Sequence, residues 1–215
     1  MVFLQYHNIC IFDCIRTMKN NSRDYILEKA APVFNKHGFS GTSLAAICSA
    51  TGMTKGSIYA NFKDKDELGV AVFYYHVEQL NKKLDAILSI KDDPHEQLLL
   101  LLDFYQTAHK YPEFQYGCPV ANAAPEADDT NPALKIAVNQ VIEADLALFR
   151  KLIKKGIKQG HYKKKADPDF AFHMISALEG ALLIAKTTGD QNYMSSCCDH
   201  LRSVVNGWLV KEGKD

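Results

Sequence analysis

Apolar residues recur along almost the whole chain at intervals of three and four, and no stretch sustains the strict alternation, bounded by turn dipeptides, of a half-buried strand. The spacing predicts an all-α protein. A first helix is expected from about Ser22 to His37, with Ile26, Leu27, Ala30, Val33 and Phe34 on one face and Gly38 as its stop. Pro32 falls inside that pattern and predicts a kink or a shifted start, because proline removes an amide donor. A second short helix is expected between Thr42-Ser43 and Gly52, a third from Thr54 to near Phe62, and a long fourth from about Asp64 to Ile90.

The pattern continues through "DPHEQLLLLLDFYQTAHKY", where Asp93 and Pro94 supply the cap and the first helical position that proline tolerates. In "PEFQYGCPVANAAPEADDTNP" prolines and a glycine interrupt the period and predict a short helix between two bends. A seventh helix is expected from Asn131-Pro132 to about Lys158, an eighth from Asp167-Pro168 to Gly189, and a ninth from about Asn192 to Val210. Helices eight and nine are strongly apolar. The small residues Ala177, Gly180, Ala181 and Ala185 of helix eight are spaced to let another helix approach closely, as core or as the seam of a homodimer.

Charge changes this picture by its distribution. The net charge of the 215 residues is +0, but from Lys19 to Lys65 seven basic residues stand against three acidic ones, leaving a basic head on an acidic body. The expected organisation is an arm over residues 1–21, a head over 22–67 and a helical body over 68–215. The six cysteines, at 10, 14, 48, 118, 197 and 198, have neither zinc-site nor disulfide-framework spacing and fit reduced thiols in a cytoplasmic protein. Neither a membrane span nor a secretion signal is read. An enzyme would need a nucleophile with its base, paired carboxylates or a metal set, and no such set has diagnostic spacing; no cofactor and no metal are expected.

The head carries the sharpest signal. Cys48, Gly52 and Ile58 have the spacing of a helix-turn-helix: a small residue where the helices cross, a glycine for a positive backbone angle, and an apolar anchor beneath the second helix. That second helix then presents Lys55, Ser57 and Tyr59 outward, with Thr54, Lys55 and Gly56 at its start, and is shaped to enter the major groove of double-stranded DNA. Lys55 and Ser57 suit base edges, with Gly56 permitting close approach. Tyr59, Asn61 and Lys65 suit phosphates, and Thr42 and Ser43 can offer hydroxyl and backbone donors. For Tyr59, burial against helix four stays open as an alternative; Phe62 reads as core.

Residues 22–68, with "HGFSGTSL", "TGMTKGSIYANF" and "KDKDEL", resemble the DNA-binding domain of the TetR/AcrR family of bacterial repressors, in which histidine is common where Asn61 stands. The resemblance implies an all-helical homodimer joined through helices eight and nine, an inverted-repeat operator, and an effector that releases it. Two effector readings stand side by side. One is a small molecule in an apolar pocket of the body, lined by Phe73, Phe104, Tyr105 and Phe149. The other rests on "YGCPVANAAPE" and "GALLIAKTTGD", which resemble the sensor of NemR-type repressors; that likeness implies an electrophile or oxidant acting on Cys118, with Lys186 nearby favouring the thiolate. A helical enzyme or structural protein that binds no DNA is the remaining alternative.

Overall fold

The computed structural model describes residues 21–163 and 165–210, so the expected arm lies outside the described residues except for its last position. The described residues form α1 (Asn21–Gly41), α2 (Leu44–Thr51), α3 (Lys55–Tyr59), α4 (Lys65–Leu88), α5 (Pro94–Gln106), α6 (Pro119–Thr130), α7 (Pro132–Lys158), α8 (Phe170–Thr188) and α9 (Asn192–Gly207). Two short 3-10 turns, Ala108–Lys110 and Pro112–Phe114, fill the irregular stretch before α6. The chain forms two compact units: one takes the described residues up to Asp85 with Asn122–Val138, the other Ala86–Ala121 with Asn139 onward.

In the first unit, Ile26, Leu27, Ala30 and Phe34 of α1 close over Ile47 of α2, Ile58 of α3, Phe62, and Leu68 and Val72 of α4. Burying one such side chain is worth about 1.5–3 kcal/mol, so these three- and four-residue repeats hold together helices far too short to stand alone. Cys48 packs against this core, as its spacing requires. Capping sets the boundaries. Ser43 and Thr54 accept hydrogen bonds from Ala46 N (3.1 Å) and Ser57 N (3.2 Å). At the start of α4, Asp64 Oδ1 accepts from Glu67 N (2.8 Å) while Glu67 Oε2 accepts from Lys63 N (2.8 Å). Between α2 and α3, Gly52 has φ 68°.

The break in α1 differs from the expectation. Pro32 sits inside continuous helix, and the non-helical residue is Gly38, at φ 75° and ψ 175°. Helix resumes beyond it as far as Gly41. Phe39 turns back onto Phe34, with ring centroids 5.2 Å apart, and lies against Gly69 of α4.

In the second unit, Asp93 caps α5 by accepting from His95 N and Glu96 N, both at 2.9 Å. α9 packs on α5 and α8. The buried residues of α8 are Ala171, Met174, Leu178, Ala181, Leu182 and Ala185. Of the small residues read from the sequence as a smooth face, Ala181 and Ala185 face the core, Gly180 is half-buried and Ala177 is exposed, while the large apolar side chains left exposed on α8 are Phe172, Leu183 and Ile184. By length and composition alone α8 could cross a membrane. Here its buried face is the wall of a helical core shared with α9.

Candidate nucleic-acid interface and sensor core

The outward face of α3 is set by Ile58, which is fully buried and fixes the opposite face of the helix. On the other side Thr54, Lys55, Gly56 and Tyr59 are exposed and Ser57 is half-buried. The Thr54 and Ser57 hydroxyls are 2.9 Å apart, so the cap also orders Ser57. Tyr59 is 39% exposed, which rules out its burial against α4. The Lys55 ammonium lies 5.8 Å from the Tyr59 ring centroid, within cation–π range, and the two are presented as a pair. Ser43 is exposed at the start of α2. Lys65 Nζ donates to Ser40 O at 3.3 Å.

Two expected contacts are corrected by what their side chains already do. Thr42 is buried and its hydroxyl donates to Gly38 O (2.6 Å), so it stabilises the break in α1 and does not face outward. Asn61 spends its amide internally: Nδ2 donates to Ser57 O (2.9 Å) and Oδ1 accepts from the Ser22 hydroxyl (3.1 Å). The Asn61 carbonyl also accepts from Arg23, whose guanidinium lies 4.1 Å from the Phe62 ring centroid. Asn61 therefore joins the end of α3 to the start of α1.

Sequence reasoning missed the clasp on α1. Glu126 of α6 accepts from the Phe39 and Ser40 amides (3.1 and 2.7 Å), and Asn122 donates to Asn35 Oδ1 (2.7 Å). The amides that a helix break leaves without partners are thereby satisfied. Glu126 is the first member of the acidic run at 126–129, and it is structural; the side chains of Asp128 and Asp129 lie outside the described residues. A polar residue at i and another at i+4 ahead of a turn was the available signal.

The expected sensor residues fall into different places. Phe73 is buried in the first unit; Phe104, Tyr105 and Phe149 are buried in the second. Phe104 is enclosed by Tyr105, Tyr111 and Phe114, at centroid distances of 5.9, 5.2 and 5.8 Å. Cys118 is buried directly before α6. The Val120 and Ala121 amides favour its thiolate, but burial and the Glu179 carboxyl outweigh them and push the thiol well above its ordinary range. Lys186 is exposed, its stem against Gly117, and adds nothing discernible to the Cys118 balance. The expected activation of Cys118 by Lys186 is thus reversed. A buried thiol beside a carboxyl stays protonated.

Two acids passed over in the sequence complete this core. Asp145 of α7 and Glu179 of α8 interact across the second unit, and burial raises both, Asp145 to about 7. Tyr105 feels both carboxyls and is likewise raised well above its usual range, chiefly by burial. One acid set against apolar neighbours, Asp145 in "DLALF" and Glu179 in "ISALEGALLIA", was the legible hint. Among the described residues no group of three His, Cys, Asp or Glu side chains is placed to hold a metal ion.

Residues 26–72 match the family model described as bacterial regulatory proteins of the tetR family, and residues 94–201 match the tetracyclin repressor-like C-terminal domain. A TetR-family regulator from Cytophaga hutchinsonii superimposes with a TM-score of 0.81 at 33% identity, over 90% of this chain and 97% of that one. An HTH-type transcriptional regulator of Lactococcus lactis is 29% identical over 85% of this chain and 92% of its own. The Escherichia coli repressor NemR is 20% identical over 87% of this chain and 95% of its own. With the helix-turn-helix geometry and both domain matches in place, the chain belongs to the TetR family of bacterial transcriptional regulators.

Proposed function

We propose that the protein is a repressor that grips an inverted-repeat operator as a homodimer in the cytoplasm and lets go when its helical body takes up a small molecule non-covalently. The observation that carries this reading is the pairing of a rigidly capped α3, exposing Lys55, Gly56 and Tyr59 over a buried Ile58, with a body whose second unit encloses uncompensated polar groups. A fixed head gives register on DNA, and a polar core gives an effector something to bind. Phe172, Leu183, Ile184 and Tyr193 are each 46% to 60% exposed on α8 and α9 and supply an apolar face for the second copy. Two heads so joined are expected to sit on successive major grooves, about 34–36 Å apart or a multiple of it.

A footprint on operator DNA tests the reading. Lys55→Ala is expected to weaken binding and relax base preference, at about 1–3 kcal/mol of discrimination, whereas Lys65→Ala and Tyr59→Phe weaken binding on all sequences alike. Protection of a single unrepeated half-site, or an unchanged preference profile in Lys55→Ala, counts against it.

Non-covalent uptake is preferred to modification of Cys118 because the thiol is enclosed and held in its protonated, unreactive form. Under graded N-ethylmaleimide, Cys118→Ser and the parent protein are expected to release operator at the same dose. Release of the parent alone would restore the thiol switch.

A further inference from the structure

With five residues, α3 is too short to keep its own direction, so both of its ends must be held from outside. Its start is held by the Thr54 cap and its inner face by the buried Ile58. Its end is held from α1. Asn61, just past α3, donates through Nδ2 to Ser57 O (2.9 Å) and accepts from the Ser22 hydroxyl (3.1 Å). The Asn61 carbonyl accepts from Arg23 Nη1. The same guanidinium lies 4.1 Å from the centroid of the buried Phe62 ring, and its Nη2 donates to Glu67 Oε1 at 3.2 Å. Glu67 uses its other oxygen to accept from Lys63 N (2.8 Å), closing the first turn of α4. One planar cation on α1 therefore touches the end of α3, a ring of the core and the residue that caps α4.

This arrangement is poorly explained as a contribution to stability. The Arg23 and Glu67 side chains are 25% and 43% exposed, and an ion pair so open to water adds little to the folded state. What it supplies is direction. Arginine offers a fork and a flat face together, whereas the single ammonium of lysine cannot serve a carbonyl, a carboxylate and a ring at once. Both terminal nitrogens of Arg23 are also turned toward protein acceptors, where a phosphate contact would need them turned out.

We propose that Arg23 is a positioning residue for operator binding: without touching DNA, it fixes the direction of α3 by tying Asn61 to Phe62 and Glu67. This role rests on the reading of α3 as the helix that enters the major groove. Lys55 and Tyr59 lie on the five residues whose end Arg23 holds, so a shift of that end moves both. Base edges are read only by accurately placed side chains, while the attraction of lysines to phosphates survives a small displacement. Loss of the Arg23 contacts lowers specific binding and spares non-specific binding.

Glu67 gives this role a consequence of unexpected sign. As an anion in a basic head it repels phosphate, so by charge alone its neutralisation strengthens binding to any duplex. As the partner of Arg23, its neutralisation weakens binding to the operator. Glutamine keeps the α4 cap, because its oxygen still accepts from Lys63 N, but it sets an amide donor opposite the Arg23 donor.

The test uses the full chain and two duplexes: the sequence that the parent protein enriches from a random pool, and a shuffled duplex of the same length and composition. Affinities are measured well below the melting transition of each variant. Arg23→Lys and Glu67→Gln are each expected to lower the ratio of enriched to shuffled affinity about tenfold or more, the scale of one lost base contact. Affinity for the shuffled duplex is expected to stay level in Arg23→Lys, which keeps its charge, and to stay level or rise in Glu67→Gln. The double variant is expected to lose no more than the worse single one, since both substitutions break the same link. Were Arg23 a phosphate contact, lysine would replace it and the ratio would stand; were it a structural residue only, melting would shift and the ratio would stand. An unchanged ratio in either folded variant, or tighter binding of the enriched duplex by Glu67→Gln, overturns the role and leaves the repressor reading in place. A parent protein that enriches no sequence overturns the repressor reading itself, and this role with it.

Discussion

Gly38→Ala costs about 3–5 kcal/mol of stability and abolishes operator binding at 37 °C. At φ 75° and ψ 175° the residue sits in a region of backbone space that is essentially reserved for glycine, and forcing a side chain there costs about 1–3 kcal/mol. The added Cβ would also overlap the Glu126 carboxylate, which accepts from Phe39 N and Ser40 N. Moving that carboxylate leaves amides at the break unsatisfied, at about 1–3 kcal/mol more. Gly52→Ala is the control. It shares the left-handed φ, but nothing lies within 4 Å of its Cβ position, so about 1 kcal/mol is expected. Denaturant melts of the two variants decide the matter. Equal losses would mean that the Glu126 clasp adds nothing to the backbone cost.

Asp145→Asn makes the protein more stable than the parent at pH 8, and by less than half that margin at pH 5. In the folded chain burial and Glu179 hold the Asp145 proton up to about pH 7, against an ordinary value of 3.8. Between those values the native state binds a proton that the unfolded state has released, so stability falls as pH rises and the loss is complete above the folded value. At about 1.4 kcal/mol per unit the difference approaches about 4 kcal/mol, less what relaxation around the pair returns. Asparagine has no such proton. Melting temperatures at pH 5, 6.5 and 8, at one fixed protein concentration, should show the gap between variant and parent widening with pH. A gap that narrows with pH would mean that Asp145 is ionised and compensated in the folded chain.

The helices of this protein were legible because their information is local. Caps such as Ser43, Thr54 and Asp93, stops such as Gly52 and Gly189, and apolar repeats at three and four residues act within a turn or two of themselves. A helix-turn-helix is local in the same sense, since Cys48, Gly52 and Ile58 are neighbours in sequence before they are neighbours in space. The exposure of Lys55, Gly56 and Tyr59 on α3 follows from that frame alone.

What the tertiary structure decided involves partners far along the chain. Thr42 and Asn61 look like any outward polar residues until Gly38 O, Ser57 O and Ser22 claim their hydrogen bonds. Glu126 finds the break in α1 from 87 positions away. The side of α8 that faces the core could not be read from its small residues, because leucine, isoleucine and alanine surround that helix and only the packing of α9 chooses among them. For Cys118 the sequence placed a lysine in the motif but could not see the carboxyl. The ionisation of a buried thiol depends on distances to groups on other helices, and Glu179, 61 residues onward, is the charged group that raises it.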